Sequence, residues 1–324
     1  MRTVTIGSND AGQRLDRFMA KFFPAMPQSL IYKSIRKKCV RANGKHIKES
    51  YQLRDGDILS FYIRDEFFSA PEPEQAFRSV TPKLDIVYED ENLLLVNKPA
   101  GLVVHEDESN TQNTLIAQIQ SYLYRKGEYA PEQENTFAPA LCNRIDRNTE
   151  GIVLAAKNAQ TLRILNQKIK DREIHKYYLC LAFGKFSKPA GEERAYLRKD
   201  ESKKQVSISD TPRAGYKTIV TRYRVLGYRE GISLVEIDLV TGRTHQIRAH
   251  MAHMGHPLVG DGKYGKNAEN KRAGRTRQAL CAYRLAFDFT TDAGILSYLN
   301  GREFQVSRVS FAEGYWNQKT KIKG

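Results

Sequence analysis

A chain of 324 residues with 40% apolar side chains is long enough for two folded domains and at least one substantial core. Its 52 Lys and Arg against 37 Asp and Glu give a formal charge of +15, which points to a polyanion, nucleic acid first, as partner. No apolar run approaches membrane-span length, no long basic amphipathic helix offers a membrane surface, and Met1 to Gly7 lacks a signal-peptide core, so a cytoplasmic protein without a membrane partner is expected.

Leu15, Phe18, Met19 and Phe22 fall at i, i+3, i+4 and i+7 and predict a short amphipathic helix. After Pro24 and Pro27 a second helix is predicted over Ser29 to Cys39, with Ile31 and Ile35 one turn apart and Lys33, Arg36 and Lys37 together on another side. The turn Asn43-Gly44 and the segment Leu53 to Phe61 then predict strands joined by tight turns. The order of two short helices, a basic face, an Asn-Gly-Lys turn and a Gly-Asp-Ile strand start resembles an S4-like RNA-binding domain over about residues 12 to 65. Lys33, Arg36 and Lys37 would clamp phosphates there without reading bases; an ordinary solvated face is the other reading of the same stripe.

Residues 67–82, with Pro71, Pro73, Pro82 and no periodicity, read as a linker between a domain over 1–66 and a larger one over 83–324. Leu84 to Tyr88 and Leu93 to Asn97 predict a hairpin that leads into Lys98-Pro99-Ala100-Gly101, a shaped turn bracketed by Lys98 and His105. Cys142 to Leu154 then sets a carboxylate, Asp146, between Arg144 and Arg147 and runs through a polar turn into an apolar strand, which displays the acid at a strand edge. Alone, an Asp between two arginines is far more often a solvated charge cluster than a catalyst. Leu162, Leu165 and Ile169 predict a helix, and Ile174 to Gly184 a strand on which Lys176 and Tyr178 share one side.

Arg194 to Asp210 is polar and reads as exposed loops or an irregular hairpin, followed by strands at Tyr216 to Leu226 and Ile232 to Val240. Beyond them, Thr244 is positioned to cap a helix with Ile247, Met251 and Met254 on its core face, Gly255 as its stop, and Arg243, Gln246, His250 and His253 facing elsewhere. Four of the seven histidines fall here, but without an acid, without HExxH spacing, and among arginines that repel a cation, so no metal is expected. Asp261 to Gln278 reads as a basic Gly-rich loop, and Ala279 to Phe289 with Phe304 to Phe311 as the closing β segment. The four cysteines are scattered with no CxxC pair and are expected to be reduced; Cys142, near Asp146, has no histidine beside it in sequence.

Four motifs in this order, Lys98-Pro99-x-Gly101, Arg144-Ile145-Asp146-Arg147-x-Thr149-x-Gly151, Lys176-x-Tyr178 and Gly242-Arg243-Thr244-His245-Gln246-Ile247-Arg248-x-His250, resemble the RluA-type pseudouridine synthases across about residues 80 to 312. The resemblance implies an α+β fold: a mixed, mostly antiparallel β-sheet core with flanking helices and a central RNA cleft, beside the small α/β N-terminal domain. It implies isomerisation of uridine within RNA, with Asp146 as catalytic aspartate, Arg248 as its ion-pair partner, Tyr178 stacked on the target base and Arg144 near the vacated stack. Arg147, Lys98, Lys176, Arg243 and His245 are carried over as RNA contacts. Asn143 and Cys281 stand where this family commonly has His, which bears on RNA contacts and not on the acid.

The chemistry breaks N1–C1′, turns the base and joins C5 to C1′ with no redox change or net hydrolysis, so no cofactor is expected. A carboxylate could attack C1′ or assist loss of the C2′ proton, and both routes stay open. Ribosomal RNA is the expected substrate and transfer RNA the next, with no DNA partner and a monomeric state. Two other functions fit the same residues: an RNA N-glycosidase, in which water takes C1′, and a catalytically silent RNA-binding or ribosome-assembly protein.

Overall fold

Leu15, Phe18 and Met19 on one helical stripe and Ile31 and Ile35 on another are buried, and the two stripes close on a small sheet around Phe23 and Phe61. The computed structural model describes residues 1–68, 76–106, 111–200, 202 and 204–315. Its first unit runs β1 (Arg2–Thr5), α1 (Leu15–Phe22), α2 (Gln28–Arg36), β2 (Val40–Ala42), β3 (Lys45–His46) and β4 (Ile58–Phe61), with antiparallel strand order β1-β4-β2-β3. Helix α2 stops three residues before the expected Cys39, because Lys38 takes a left-handed φ of 62° and Cys39 already leads into β2. Lys33, Arg36 and Lys37 are exposed.

A polar seam joins this unit to the rest. Asp10, 1% exposed, accepts from Thr136 Oγ1 at 2.5 Å, Asn135 Nδ2 at 2.9 Å and Gln13 Nε2 at 3.1 Å. Asn9 Oδ1 accepts from the backbone of Ala159, and Arg163 Nη1 donates to the Ala11 carbonyl. Of the stretch expected as linker, residues 69–75 lie outside the described residues, while Phe77 and Val80 are buried in the larger core.

The larger unit contains β5 (Ile86–Glu89), β6 (Leu93–Lys98), α3 (Leu115–Lys126), β7 (Ala140–Leu141), β8 (Glu150–Ala156), α4 (Ala159–Lys170), β9 (Ile174–Phe183), β10 (Ala190–Asp200), β11 (Gln205–Ser209), β12 (Lys217–Arg229), β13 (Ile232–Asp238), α5 (Gln246–His253), α6 (Asn267–Arg272), β14 (Leu280–Phe287) and β15 (Glu303–Gln305). Nine strands follow the path β11-β10-β12-β13-β9-β14-β8-β6-β5, with β15 on β14 and β7 on β8. Every described pairing is antiparallel except β14 with β8. Alternation along β9 divides two cores: Tyr178 and Cys180 face α3 and α5, while Leu179 and Leu181 face the α4 side.

Three stretches differ from expectation. Within the stretch 194–210, β10 and β11 pair as a regular ladder in register from Tyr196↔Ser209 to Asp200↔Gln205. Its inner positions Ala195, Leu197 and Val206 pack with Ala249 of α5, a short alternation diluted by charged outer positions. The basic loop holds α6, whose buried Asn270 bonds Gly260 N and the Asp261 carbonyl. In the last stretch only Glu303–Gln305 is strand, and Ser310–Tyr315 is a 3₁₀ turn. Among the described residues no helix is long and apolar enough to cross a membrane.

The parallel contact of β8 with β14 depends on Gly151. Its φ is 111°, and a Cβ there would lie 2.3 Å from the Ala282 carbonyl oxygen and 2.5 Å from its nitrogen. On its other side Gly151 pairs with Lys98 of β6, so the close approach sets where the preceding loop leaves the sheet. Gly151→Ala should therefore lower stability by about 2–4 kcal/mol, read as a fall in the denaturation midpoint with an unchanged m-value. A midpoint equal to wild type would show that the two strands can separate without cost.

Candidate active site

The loop from Asn143 to Thr149 is held from three sides. Asn143 Oδ1 accepts from Leu154 N at 2.8 Å, Thr149 N donates to the Asp146 carbonyl at 3.0 Å, and Gln278 Nε2 donates to Thr149 Oγ1 at 3.2 Å. Beneath it Lys98, fully buried, donates from one ammonium to the carbonyls of Pro99, Leu102 and Arg147, each at 2.9 Å. Gly101 N adds a second bond to the Arg147 carbonyl. Burial pushes the Lys98 ammonium down to about 8, against the opposing pull of Asp146 and Glu150, so it stays charged at neutrality.

Asp146 Oδ2 accepts from Arg248 Nη1 at 2.7 Å, while among the described residues Oδ1 accepts no hydrogen bond. Arg248 is itself gripped from behind: Nε and Nη2 reach the two oxygens of Asp261 at 2.7 and 3.0 Å, and Asp261 is fully buried. Asp261 Oδ1 also accepts from the backbone nitrogens of Lys263 and Tyr264. Burial alone would raise the Asp261 carboxyl; the Arg248 bonds and charge and these amides outweigh it and hold it low. Burial likewise disfavours the Arg248 cation, but Asp261 and then Asp146 raise its pKa. The guanidinium thus bridges a buried carboxylate and one that is 26% exposed.

Helix α5 starts one residue later than a Thr244 cap would give. His245 occupies the N-cap with a left-handed φ of 53°, and Gln246 locks the turn from inside. Gln246 Oε1 accepts from Thr241 Oγ1 and Arg243 N, and its Nε2 donates to Val220 O and Thr221 Oγ1 of β12. Gln246 and His250, expected to face elsewhere, are each 2% exposed, because α5 lies with that face on β12. The four nearby histidines diverge to Tyr264, Thr221, Asp210 and the Phe183 carbonyl. Among the described residues no three His, Cys, Asp or Glu side chains converge as metal ligands would.

These elements line a cleft of about 560 Å³. It gathers Asp146, Arg248, Tyr178, Arg144, Arg147, Lys176, Arg243 and His245, which three separate stretches of chain supply. Tyr178 is 6% exposed, between Ile237 and Ala282; burial, then the Asp146 charge, pushes its hydroxyl pKa up, so it stays protonated. Lys176, one pleat away on the same side, is shifted down by burial. Cys142 also lines the cleft, but burial pushes its thiol up to about 12, and burial also raises the Cys281 thiol, so neither is a thiolate nucleophile.

Lys98 is corrected: with its ammonium sealed among three carbonyls it cannot reach phosphate. Lys33, Arg36 and Lys37 belong to the first unit and do not line the cleft. Asp261 and Tyr264 were missed, lying in a stretch read as loop; their signal is the run Gly260-Asp261-Gly262-x-Tyr264-Gly265, a lone acid among tight-turn glycines in basic surroundings. Gln246 was missed for the opposite reason, as a polar residue assumed to face solvent.

The family model described as RNA pseudouridylate synthase matches residues 92–253. The ribosomal large subunit pseudouridine synthase C of Vibrio vulnificus is 32% identical over 295 residues, covering 89% of this chain and 88% of that protein. The synthase of the same name from Vibrio cholerae is 34% identical over 269 residues, covering 81% and 80%. A ribosomal large subunit pseudouridine synthase D from Xylella fastidiosa is 30% identical over 296 residues, covering 88% and 84%. Among solved structures, human RNA pseudouridylate synthase domain containing 4 has a TM-score of 0.54 at 20% identity, over 70% of this chain and 89% of that one. Human domain containing 1 has a TM-score of 0.52 at 22% identity, over 75% and 97%. Both share the mixed, mostly antiparallel fold.

Two outcomes follow from this geometry. Lys98→Met leaves three carbonyls unsatisfied and should cost about 2–4 kcal/mol of stability while the salt dependence of RNA binding stays that of wild type; a shallower salt slope would restore Lys98 as a phosphate contact. Asp261→Asn should cost roughly 3 kcal/mol at pH 7. Because the folded pKa of Asp261 lies below its ordinary 3.8, its contribution is complete above that value and fades as pH falls through the folded one. Denaturation from pH 7 to 3 should show the gap between wild type and variant narrowing only below about pH 4; a constant gap would mean the carboxylate charge is not what Arg248 needs.

Proposed function

The chain belongs to the RNA pseudouridylate synthases, and from that premise we propose that it isomerises uridines of large-subunit ribosomal RNA, with Asp146 as the reacting carboxylate. The observation that carries this reading is the asymmetry of Asp146: one oxygen is tied to an arginine that a buried aspartate holds in place, and the other accepts no hydrogen bond among the described residues while Asp146 lines the cleft. An adjacent fixed cation orients the carboxylate through one oxygen and leaves the second to act on the ribose. Attack at C1′ and assistance to C2′ proton loss both use that oxygen.

A uridine inside folded RNA must leave its stack, at roughly a few kcal/mol, before its sugar can meet Asp146. Tyr178, buried in the cleft wall beside Asp146, supplies an aromatic face for the detached uracil, a contact worth roughly 1–3 kcal/mol. Arg144 and Arg147, exposed at either side of Asp146, suit the vacated stack and the flanking phosphates. Arg243 and Lys176 extend the cationic rim. The N1–C1′ bond breaks, the base turns, C5 joins C1′, the C5 proton leaves to solvent and N1 regains one; no group outside the chain is required. Large-subunit ribosomal RNA as substrate rests on the names of the relatives. We assign the first 66 residues, with exposed Lys33, Arg36 and Lys37, an S4-like role in holding RNA, and residues 83–324 the chemistry.

The test is tritium release from RNA labelled at uracil C5, with filter binding in parallel. Asp146→Asn should lower turnover at least roughly a thousandfold and change RNA affinity by less than about threefold. Wild-type turnover in the variant would remove Asp146 from the reaction. Free uracil among the products would indicate a glycosidase, and tight salt-dependent binding with no release from any RNA would leave a binding protein.

A further inference from the structure

Behind His245 stands a second polar chain that the reaction as described does not use. His245 Nε2 lies 3.9 Å from Asp146 Oδ2, the oxygen that Arg248 also holds. Its Nδ1 lies 2.8 Å from the Tyr264 hydroxyl, and the same hydroxyl accepts from Val206 N of β11 at 3.0 Å. Tyr264 is fixed in turn: its backbone nitrogen donates to Asp261, and its ring lies 5.3 Å from the Arg248 guanidinium carbon.

One phenol has one proton. Since the oxygen already receives the Val206 N–H, and among the described residues it has no acceptor other than His245, that proton is satisfied only by donation to Nδ1. A neutral imidazole accepting at Nδ1 carries its hydrogen on Nε2, the nitrogen that faces a carboxylate oxygen. The opposite tautomer would aim a lone pair at that oxygen and strand the phenol proton. The left-handed backbone of His245, unusual for a residue with a Cβ, is the conformation that the Gln246 lock imposes at this point.

We propose that Tyr264 is a positioning residue that fixes His245 as its Nε2–H tautomer, making it a second N–H donor aimed at the Oδ2 side of Asp146. It rests on Asp146 being the reacting carboxylate. Arg248 bonds Oδ2 at 2.7 Å and the His245 Nε2–H faces the same oxygen from 3.9 Å, beyond a hydrogen bond, so both groups lie on the Oδ2 side and Oδ1 is left as the reacting atom. The charged groups around His245 are Asp146, Arg248, Asp261 and Lys263; burial is the largest influence on its pKa and lowers it, in keeping with a neutral ring.

The tautomer is read directly, without activity, from long-range ¹H–¹⁵N spectra of ¹⁵N-histidine-labelled protein, with the His245 signals assigned by their loss in His245→Gln. Wild type should show His245 protonated on Nε2 alone; a hydrogen on Nδ1 would overturn the proposal, whatever the role of Asp146. Turnover then tests the consequence. Tyr264→Phe, which keeps the ring beside Arg248, should lower kcat roughly threefold to tenfold with KM for RNA unchanged. His245→Gln sets an amide N–H near the Nε2 position and should retain more activity than His245→Asn, whose amide reaches only Nδ1. In the His245→Gln background, Tyr264→Phe should have no further effect on kcat. Full additivity of the two, or a Tyr264→Phe loss confined to KM, would show that Tyr264 acts elsewhere.

Discussion

Arg248 stands between two carboxylates that differ in everything but charge. Asp261 is fully buried, takes two guanidinium nitrogens and two backbone amides, and is saturated; Asp146 is partly exposed and takes one. A lone arginine beside a partly solvated aspartate would gain little, since an exposed pair is worth at most about 1 kcal/mol and its side chains are free to part. Tied to Asp261, the arginine has already lost its rotamer freedom when the fold forms, so its remaining N–H is presented without further ordering cost. The buried carboxylate therefore supports the exposed one without touching it.

The same division of labour recurs beneath the loop. Lys98 is a cation used as a three-way hydrogen-bond donor to backbone, joining the turn after β6 to the Asp146 loop. Gly151 permits β8 to approach β14, and Gln246 fixes the turn before α5. Each of these polar groups is held by several protein partners, whereas among the described residues one oxygen of Asp146 accepts no hydrogen bond. Satisfied buried networks are rigid, and unsatisfied atoms at a cleft are those available to a ligand.

Much of this was legible in the sequence where a residue's neighbours in the chain decide its environment. Strand alternation told that Lys176 and Tyr178 share a side, and helical spacing told the core faces of α1 and α4, because those periodicities are local. What depends on long-range partners was not legible. Lys98 reads as a surface cation until three carbonyls enclose it. Asp261 sits in a basic glycine-rich run that has no periodicity, and only the tertiary fold brings it behind Arg248. Gln246 and His250 share a helix with Met251, but a polar pair lies buried there only because Val220 and Thr221 of β12 offer acceptors and a hydroxyl. Residues 194–210 failed for a different reason, with too few apolar inner positions to mark the period.

The excess of basic residues bears on the carboxylate as well as on RNA. Arg248 with Asp146 and Asp261 sums to one net negative charge, set in a cleft that Arg144, Arg147, Arg243 and Lys176 surround. In the free protein, water at the exposed side of Asp146 screens all of these interactions. A nucleotide filling the cleft displaces that water, and the same distances then act through a lower dielectric, where a 2.7 Å ion pair strengthens several-fold. Phosphates arriving with the base meet the rim cations at the same time, so the polyanion does not confront Asp146 unaccompanied. On the proposed reading, binding RNA both supplies the substrate and strengthens the ion pair that orients its reacting partner, and that coupling asks for an anion held from behind inside a basic surface.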